Sequence, residues 1–176
     1  MKKIFILSLI TSTLLLSAGE LSIDKEATWI KATAKATGHS FEAFPSKYQL
    51  QIGMDDGKLT SAVFSCKVLD LTTDKEKRDT EMFHWLESDH MPDFGFTMTG
   101  LKDVNGKQFM VGDFKLHNVV QQLEIPITLK EENNQVTIHG EVTLDTEKFK
   151  LPIIKKMGFL KVQPLVVVTF HLIGSR

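Results

Sequence analysis

From residue 29 onward, apolar and polar side chains alternate with a period of two, the mark of strands buried on one face. Ile30, Ala32, Ala34 and Ala36 share one side of the first run, against Lys31, Thr33 and Lys35. Leu50, Ile52 and Met54 continue the pattern, and Ala62, Phe64, Cys66 and Val68 return it. Further apolar faces follow at Phe94, Phe96 and Met98, then at Met110, Gly112, Phe114 and Leu116. The next two runs place Leu123, Ile125, Ile127 and Leu129, then Val136, Ile138, Gly140, Val142 and Leu144, on their inner sides. Val166, Val168, Phe170 and Leu172 mark the last run. Asp56-Gly57 and Asn105-Gly106 supply the residue types that accept positive φ in tight hairpin turns, and residues 131–135 make another turn. Pro126 has no ladder donor and marks an edge or a bulge. This predicts eight strands joined mostly by hairpins. An antiparallel up-and-down barrel and a two-sheet sandwich both satisfy the alternation, and eight strands favour the up-and-down β-barrel.

Several runs reach about ten residues, roughly 33 Å at the usual rise per residue. A solid core of that length needs large side chains throughout. Here three alanines share one wall, and Gly112 and Gly140 fall on inner faces. These small residues predict a channel, unless the alanines make room for a covering helix.

One stretch, "RDTEMFHWLESDHMPDF" (residues 78–94), breaks the two-residue period. Thr73 and Glu76 have capping-box spacing just before it. Met82, Trp85 and Leu86 then recur at helical spacing with Phe83 beside them, and Pro92 stands where the helix is expected to stop. The prediction is a short amphipathic helix near the mouth of the barrel, its stripe facing the opening.

The N-terminus changes where this barrel is expected to work. Lys2 and Lys3 precede an apolar run from Ile4 to Leu16, too short to span a bilayer, and Ser17, Ala18 and Gly19 are small. Residues 1–19 read as a cleaved bacterial secretory signal, and 20–176 as one domain. Glu20, not Cys, follows Gly19, so a lipoprotein anchor is not expected. The mature chain is expected in the periplasm or secreted. A net charge of -1 without a basic run argues against a nucleic-acid partner. Cys66, the single cysteine, cannot form an internal disulfide and reads as a buried small apolar residue.

Candidate chemistry is sparse. His84, Asp89, His90 and Asp93 have ligand-type side chains but not the spacing of a metal motif. "TGHSF" (residues 37–41) reads as a turn held by Gly38, because adjacent strand residues point to opposite faces and so keep His39 and Ser40 apart. The sequence carries no G-x-S-x-G, P-loop or G-x-G-x-x-G pattern. A lipid-acting or metal-dependent enzyme, and a sealed interaction module, remain as alternatives to a binding protein.

The chain resembles the YceI-like family of exported lipocalin-like proteins. "KATGHSFEA" is similar to its opening strand region. "VLDLTTDKEKRDTEMFHWLESDHMPDFGF" resembles its strand, Arg-Asp, helix and Pro-aromatic order, through Arg78, Asp79, Phe83, Pro92, Phe94 and Phe96. "VGDFKLHNVVQQLEIPITL" resembles a strand pair around a glycine corner, with Asn118 where glycine is usual, and "LDTEKFKL" resembles a late D-x-x-x-F segment. Asn tolerates the left-handed backbone such a corner needs. The resemblance implies an eight-stranded barrel holding an amphiphile: a polyisoprenoid, isoprenoid quinone or fatty-acid derivative. It carries over no catalytic residue, metal or cofactor, and makes Arg78 and Asp79 structural. Phe64, Phe94, Phe96, Met98, Phe114, Ile125, Ile127, Ile138, Val142 and Phe170 are expected on the channel wall. Met82, Phe83 and Trp85 are expected to close one end. The expected partners are a hydrophobic lipid and, transiently, a membrane, with the protein itself a monomer or homodimer.

Overall fold

Two-residue turns set the strand pairing. Asp56-Gly57, Asn105-Gly106, His117-Asn118 and Asn133-Asn134 all have positive φ at both positions, between 44° and 76°. That geometry matches the twist of the flanking strands. The structure, a computed structural model, describes residues 19–156 and 160–176. All but the last residue of the expected secretory signal therefore lies outside the described residues.

The strands are β1 (Ser22–Ile23), β2 (Trp29–Ala36), β3 (His39–Pro45), β4 (Gln49–Asp55), β5 (Lys58–Lys67) and β6 (Leu71–Thr72). After helix α1 (Glu76–Trp85) come β7 (Asp93–Val104), β8 (Lys107–Leu116), β9 (Val119–Glu132), β10 (Gln135–Asp145), β11 (Lys155–Lys156) and β12 (Leu160–Ser175). The fold is mainly β and lipocalin-like, with one more long strand than expected. The addition is β3. Gly38 reverses the chain at φ 82°, as expected, and residues 39–43 then pair with β2 as a further strand. Its polar start and final proline hid the alternation of Phe41 and Ala43.

The order β4-β5-β7-β8-β9-β10-β12-β2-β3-β6 makes one curled antiparallel sheet, not a sandwich. Among the described residues, β3 and β4 share no ladder, so the barrel has a seam. The N-terminal segment staples one end of it. β1 pairs with β12, the Leu21 amide donates to the Ile52 carbonyl at 2.8 Å, and the Met54 amide donates to Gly19 at 2.6 Å. At the other end, β6 pairs with β3.

Pro126 sits inside the sheet order, yet its effect is that of a local edge. The β9–β10 ladder ends at Ile127 and Gly140, immediately before the proline that cannot donate. Beyond that point β9 pairs only with β8, and β10 only with β12. The 3-10 turn at Thr146–Phe149 touches β9 and β12 here, and Phe149 is 1% exposed.

The core has two parts. At the stapled end Met54, Leu59, Val136 and Ile138 pack into a filled cluster. At the other end, Val68, Leu86, Leu144, Phe149 and Leu151 form a second cluster, with Met82, Phe83 and Trp85 against it. The stripe of α1 thus faces the barrel end, as its spacing predicts. Its caps differ from the expectation. Asp74 takes φ 56°, Lys75 becomes the N-cap, and the Thr73 hydroxyl is committed to Asp79 instead of the helix amides. The helix stops well before Pro92. Glu87 is left-handed at φ 52°, while Ser88 and Glu87 amides donate to the carbonyls of Phe83 and His84. That is a Schellman C-cap built without glycine.

Candidate functional site

The inner faces of most long strands converge on a cavity of about 130 Å³. Among the described residues lining it, Lys31 alone carries charge, and its ammonium turns to Glu42 at 2.8 Å. Above it lies a chamber of about 770 Å³ between β2, β3, α1 and residues 152–154. Ala32 borders both spaces. Ala34, Ala36 and Ala43 belong to the chamber wall. Their small side chains leave space where the stapled end is solid.

The predicted wall residues divide between these regions. Phe64, Phe94, Phe96, Phe114, Ile125, Val142 and Phe170 line the inner cavity. Met82 and Trp85 line the chamber. Phe83 instead packs into the second core cluster. Met98, Ile127 and Ile138 belong to the filled cluster below the cavity, Ile138 with only 2% exposure. Period-two alternation correctly puts them inside, but it carries no information on depth along the axis.

The inner-face glycines also act differently from expectation. Neither leaves a gap. The Phe96 ring lies over Gly112, so closely that a Cβ there would overlap Cζ and come within 2.5 Å of the Thr97 carbonyl oxygen. Phe170 covers Gly140, its direct cross-strand neighbour, in the same way. The glycines are notches that receive aromatic rings, while the alanines provide the open space.

Polar groups gather at the chamber, where Arg78, Glu81, His84, Glu87, His39 and Lys161 all contribute to the lining. Arg78 holds its guanidinium 4.7 Å from the Phe41 ring centre. Its neighbour Asp79 accepts from the Thr73 amide at 2.7 Å, the Thr73 hydroxyl at 2.5 Å and the Thr72 hydroxyl at 3.0 Å. Burial opposes charge on Asp79, but these hydrogen bonds, together with Arg78, outweigh it and hold the carboxyl below the usual range. Asp79 therefore ties the start of α1 to β6. The expected structural role of this Arg-Asp pair is seen in Asp79, while Arg78 borders the chamber as well.

Two further contacts tie the segment after β10. The Trp85 indole donates to the Pro152 carbonyl at 2.7 Å. His117 Nδ1 lies 3.1 Å from the Phe149 carbonyl, and a carbonyl can only accept, so Nδ1 carries the proton. Its other nitrogen faces a Glu87 oxygen at 3.4 Å. Sequence spacing missed residues 152–154 as chamber wall, because they follow neither period.

Cys66 is buried at 5% exposure, and its thiol contacts the carbonyls of Lys47 and Lys67. Burial first, then the charges of Asp70 and Asp93, pushes it up to about 12. Among the described residues, no three His, Cys, Asp or Glu side chains converge as a metal site.

A family model for the YceI-like domain matches residues 21–173. The chain belongs to the YceI-like family. Solved structures agree on the fold. BcnA of Burkholderia cenocepacia is 17% identical with a TM-score of 0.76, over 86% of this YceI-like chain and 99% of BcnA. A polyisoprenoid binding domain from Saccharophagus degradans, implicated in plant cell wall breakdown, is 13% identical with a TM-score of 0.65, over 89% and 98%. The Campylobacter jejuni YCEI protein is 15% identical with a TM-score of 0.55, over 62% and 70%. Among curated protein sequences, none matches the chain significantly.

Proposed function

We propose that the mature chain binds an amphiphilic isoprenoid-type lipid, such as a polyprenyl compound, an isoprenoid quinone or a fatty-acid derivative. The observation that carries this reading is an apolar cavity adjoining, at Ala32, a larger chamber with polar groups on its wall. The end of a tail fits the first space, and the rest of the tail with its polar head fits the second. The binding-domain description of the Saccharophagus degradans neighbour supports the same class of ligand. The role is storage or transport in the periplasm or outside the cell, with brief membrane contact to load and unload the lipid.

Apolar burial is the driving force. Each buried CH₂ contributes about 0.8 kcal/mol, so about fifteen carbons give roughly 12 kcal/mol before costs. Association and chain ordering cost at least ~4 kcal/mol. The balance of roughly 8 kcal/mol corresponds to micromolar affinity without any strong polar contact.

Solvent extraction of the purified protein, followed by mass spectrometry, tests the proposal. The expected result is recovery of an isoprenoid or fatty-acid lipid, or uptake of added prenol or quinone. Ala34→Phe, which narrows the chamber beside its junction with the cavity, is expected to reduce uptake, whereas His84→Ala leaves it nearly intact. No lipid and no uptake, or a larger effect at His84, would defeat the proposal.

A further inference from the structure

The sheet carries a second cluster on the face turned away from the cavity. Ile138, Phe170 and Ile30 point inward, so His139, His171 and Trp29, one step along each strand, point outward. His171 stands directly opposite His139 across the β10–β12 ladder, and Trp29 stands opposite His171 across β12–β2. The three side chains therefore form one row over adjacent strands. The two imidazole centroids lie 6.1 Å apart, with their planes at 57°. The Trp29 indole stacks on His171 at 5.8 Å and 20°, and meets His139 at 6.4 Å and 68°. Trp29 is 42% exposed and His139 is also exposed, so the row faces solvent.

We infer that His139 and His171 form a two-imidazole site for a divalent late first-row metal, best filled by Cu²⁺, with Trp29 as its flanking wall. The site lies on the opposite face of the sheet from the cavity and is independent of lipid binding.

The ring spacing suits a shared ion. A bond from metal to imidazole nitrogen is about 2.0–2.1 Å. Two rings on one ion therefore have centroids roughly 4.5–6.4 Å apart, from a right-angled to a linear arrangement. The 6.1 Å observed falls within that span, so side-chain rotation alone brings two nitrogens to one ion. The backbone beneath is firm, because the β10–β12 ladder runs unbroken from Gln135 and Ser175 to Asp145 and Leu165.

The neighbouring charges leave room for a cation. Glu141 shares the outer face with His139 and accepts from the Thr169 hydroxyl at 3.3 Å, which puts a carboxylate beside the pair. Lys31 lies 5.8 Å from the Trp29 ring centre, but Glu42 at 2.8 Å offsets its charge. Imidazole nitrogen accepts copper, nickel and zinc alike, and intrinsic affinity peaks at Cu²⁺. Water completes the coordination. Residue order keeps these histidines on separate runs, and only the pairing of β10 with β12 makes them neighbours.

A cross-strand aromatic row with no metal affinity makes the same ring contacts, so the experiment reads the metal itself. The purified mature protein is titrated with Cu²⁺ in chelator-free buffer and followed by equilibrium dialysis, tryptophan fluorescence and electron paramagnetic resonance. The expected result is one Cu²⁺ per chain with two equatorial nitrogens, and weaker binding of Ni²⁺ and Zn²⁺. The copper quenches Trp29, so Trp29→Phe loses the quenching but keeps the metal. His139→Ala and His171→Ala each weaken binding at least about tenfold, because closure by the second imidazole is intramolecular. His90→Ala leaves binding unchanged. Circular dichroism establishes folding, and if His171→Ala does not fold, His139→Ala decides alone. Absence of bound copper in the wild type overturns the assignment. So does copper binding that survives the loss of His139 undiminished, or that disappears with His90.

Discussion

Replacing Phe149 with alanine tests how the barrel is sealed where β9 and β10 part. The ladder between those strands ends before Pro126, and the Phe149 ring fills the space beside the parting. Phe149 is 1% exposed and meets Phe114 edge to face, with centroids 5.6 Å apart at 87°. Truncating a fully buried phenylalanine costs about 3–5 kcal/mol. The aromatic pair accounts for about 0.5–1.5 kcal/mol beyond area burial. Its carbonyl faces His117, so backbone relaxation around the lost ring also disturbs that contact. The upper part of the range, about 4–5 kcal/mol, is therefore expected. Urea unfolding measures it as a fall in midpoint at constant slope. Leu69→Ala serves as the control, because Leu69 is 59% exposed and such surface changes stay within about 0.5 kcal/mol. A loss below about 1 kcal/mol for Phe149→Ala would show that the 3-10 turn is a surface loop rather than part of the core.

Cys66 is expected to resist Ellman's reagent in the native state and to react fully in denaturant. With its thiol pushed up to about 12, only on the order of one molecule in ten thousand is thiolate at pH 8. Prompt native labelling would contradict the burial. Asp79→Asn is expected to destabilise by about 1 kcal/mol at neutral pH, since partial exposure screens the carboxylate's hydrogen bonds. The folded-state pKa of Asp79 is depressed, so its contribution is fully present above the unfolded value near 3.9 and disappears as pH falls through the folded value. Urea midpoints of the two proteins should converge in that acidic range, and a gap that persists undiminished there would sink the assignment.

Much of this architecture is legible without coordinates because a strand writes its two faces directly into residue order. Phe64, Phe94, Phe114 and Val142 were assignable to the interior from alternation alone, and the Asn-Gly and Asp-Gly turns announced antiparallel neighbours. The amphipathic stripe of α1 was equally plain at Met82, Trp85 and Leu86. Capping was not, because Thr73 has two possible partners and the left-handed turn at Asp74 selects Asp79. Nor was β3, whose proline and polar start disguise a paired strand.

Alternating chemistry along the chain was sufficient to specify a curled antiparallel sheet with an apolar interior, since each strand must hide one face. It also singled out the alanines as small. Residue order contains no axial coordinate, however, so Phe96 at the cavity and Ile138 in the filled end look alike. Only the packed structure decided that Ala32 leaves space while Gly140 receives the Phe170 ring, because volume at any point depends on neighbours distant in the chain.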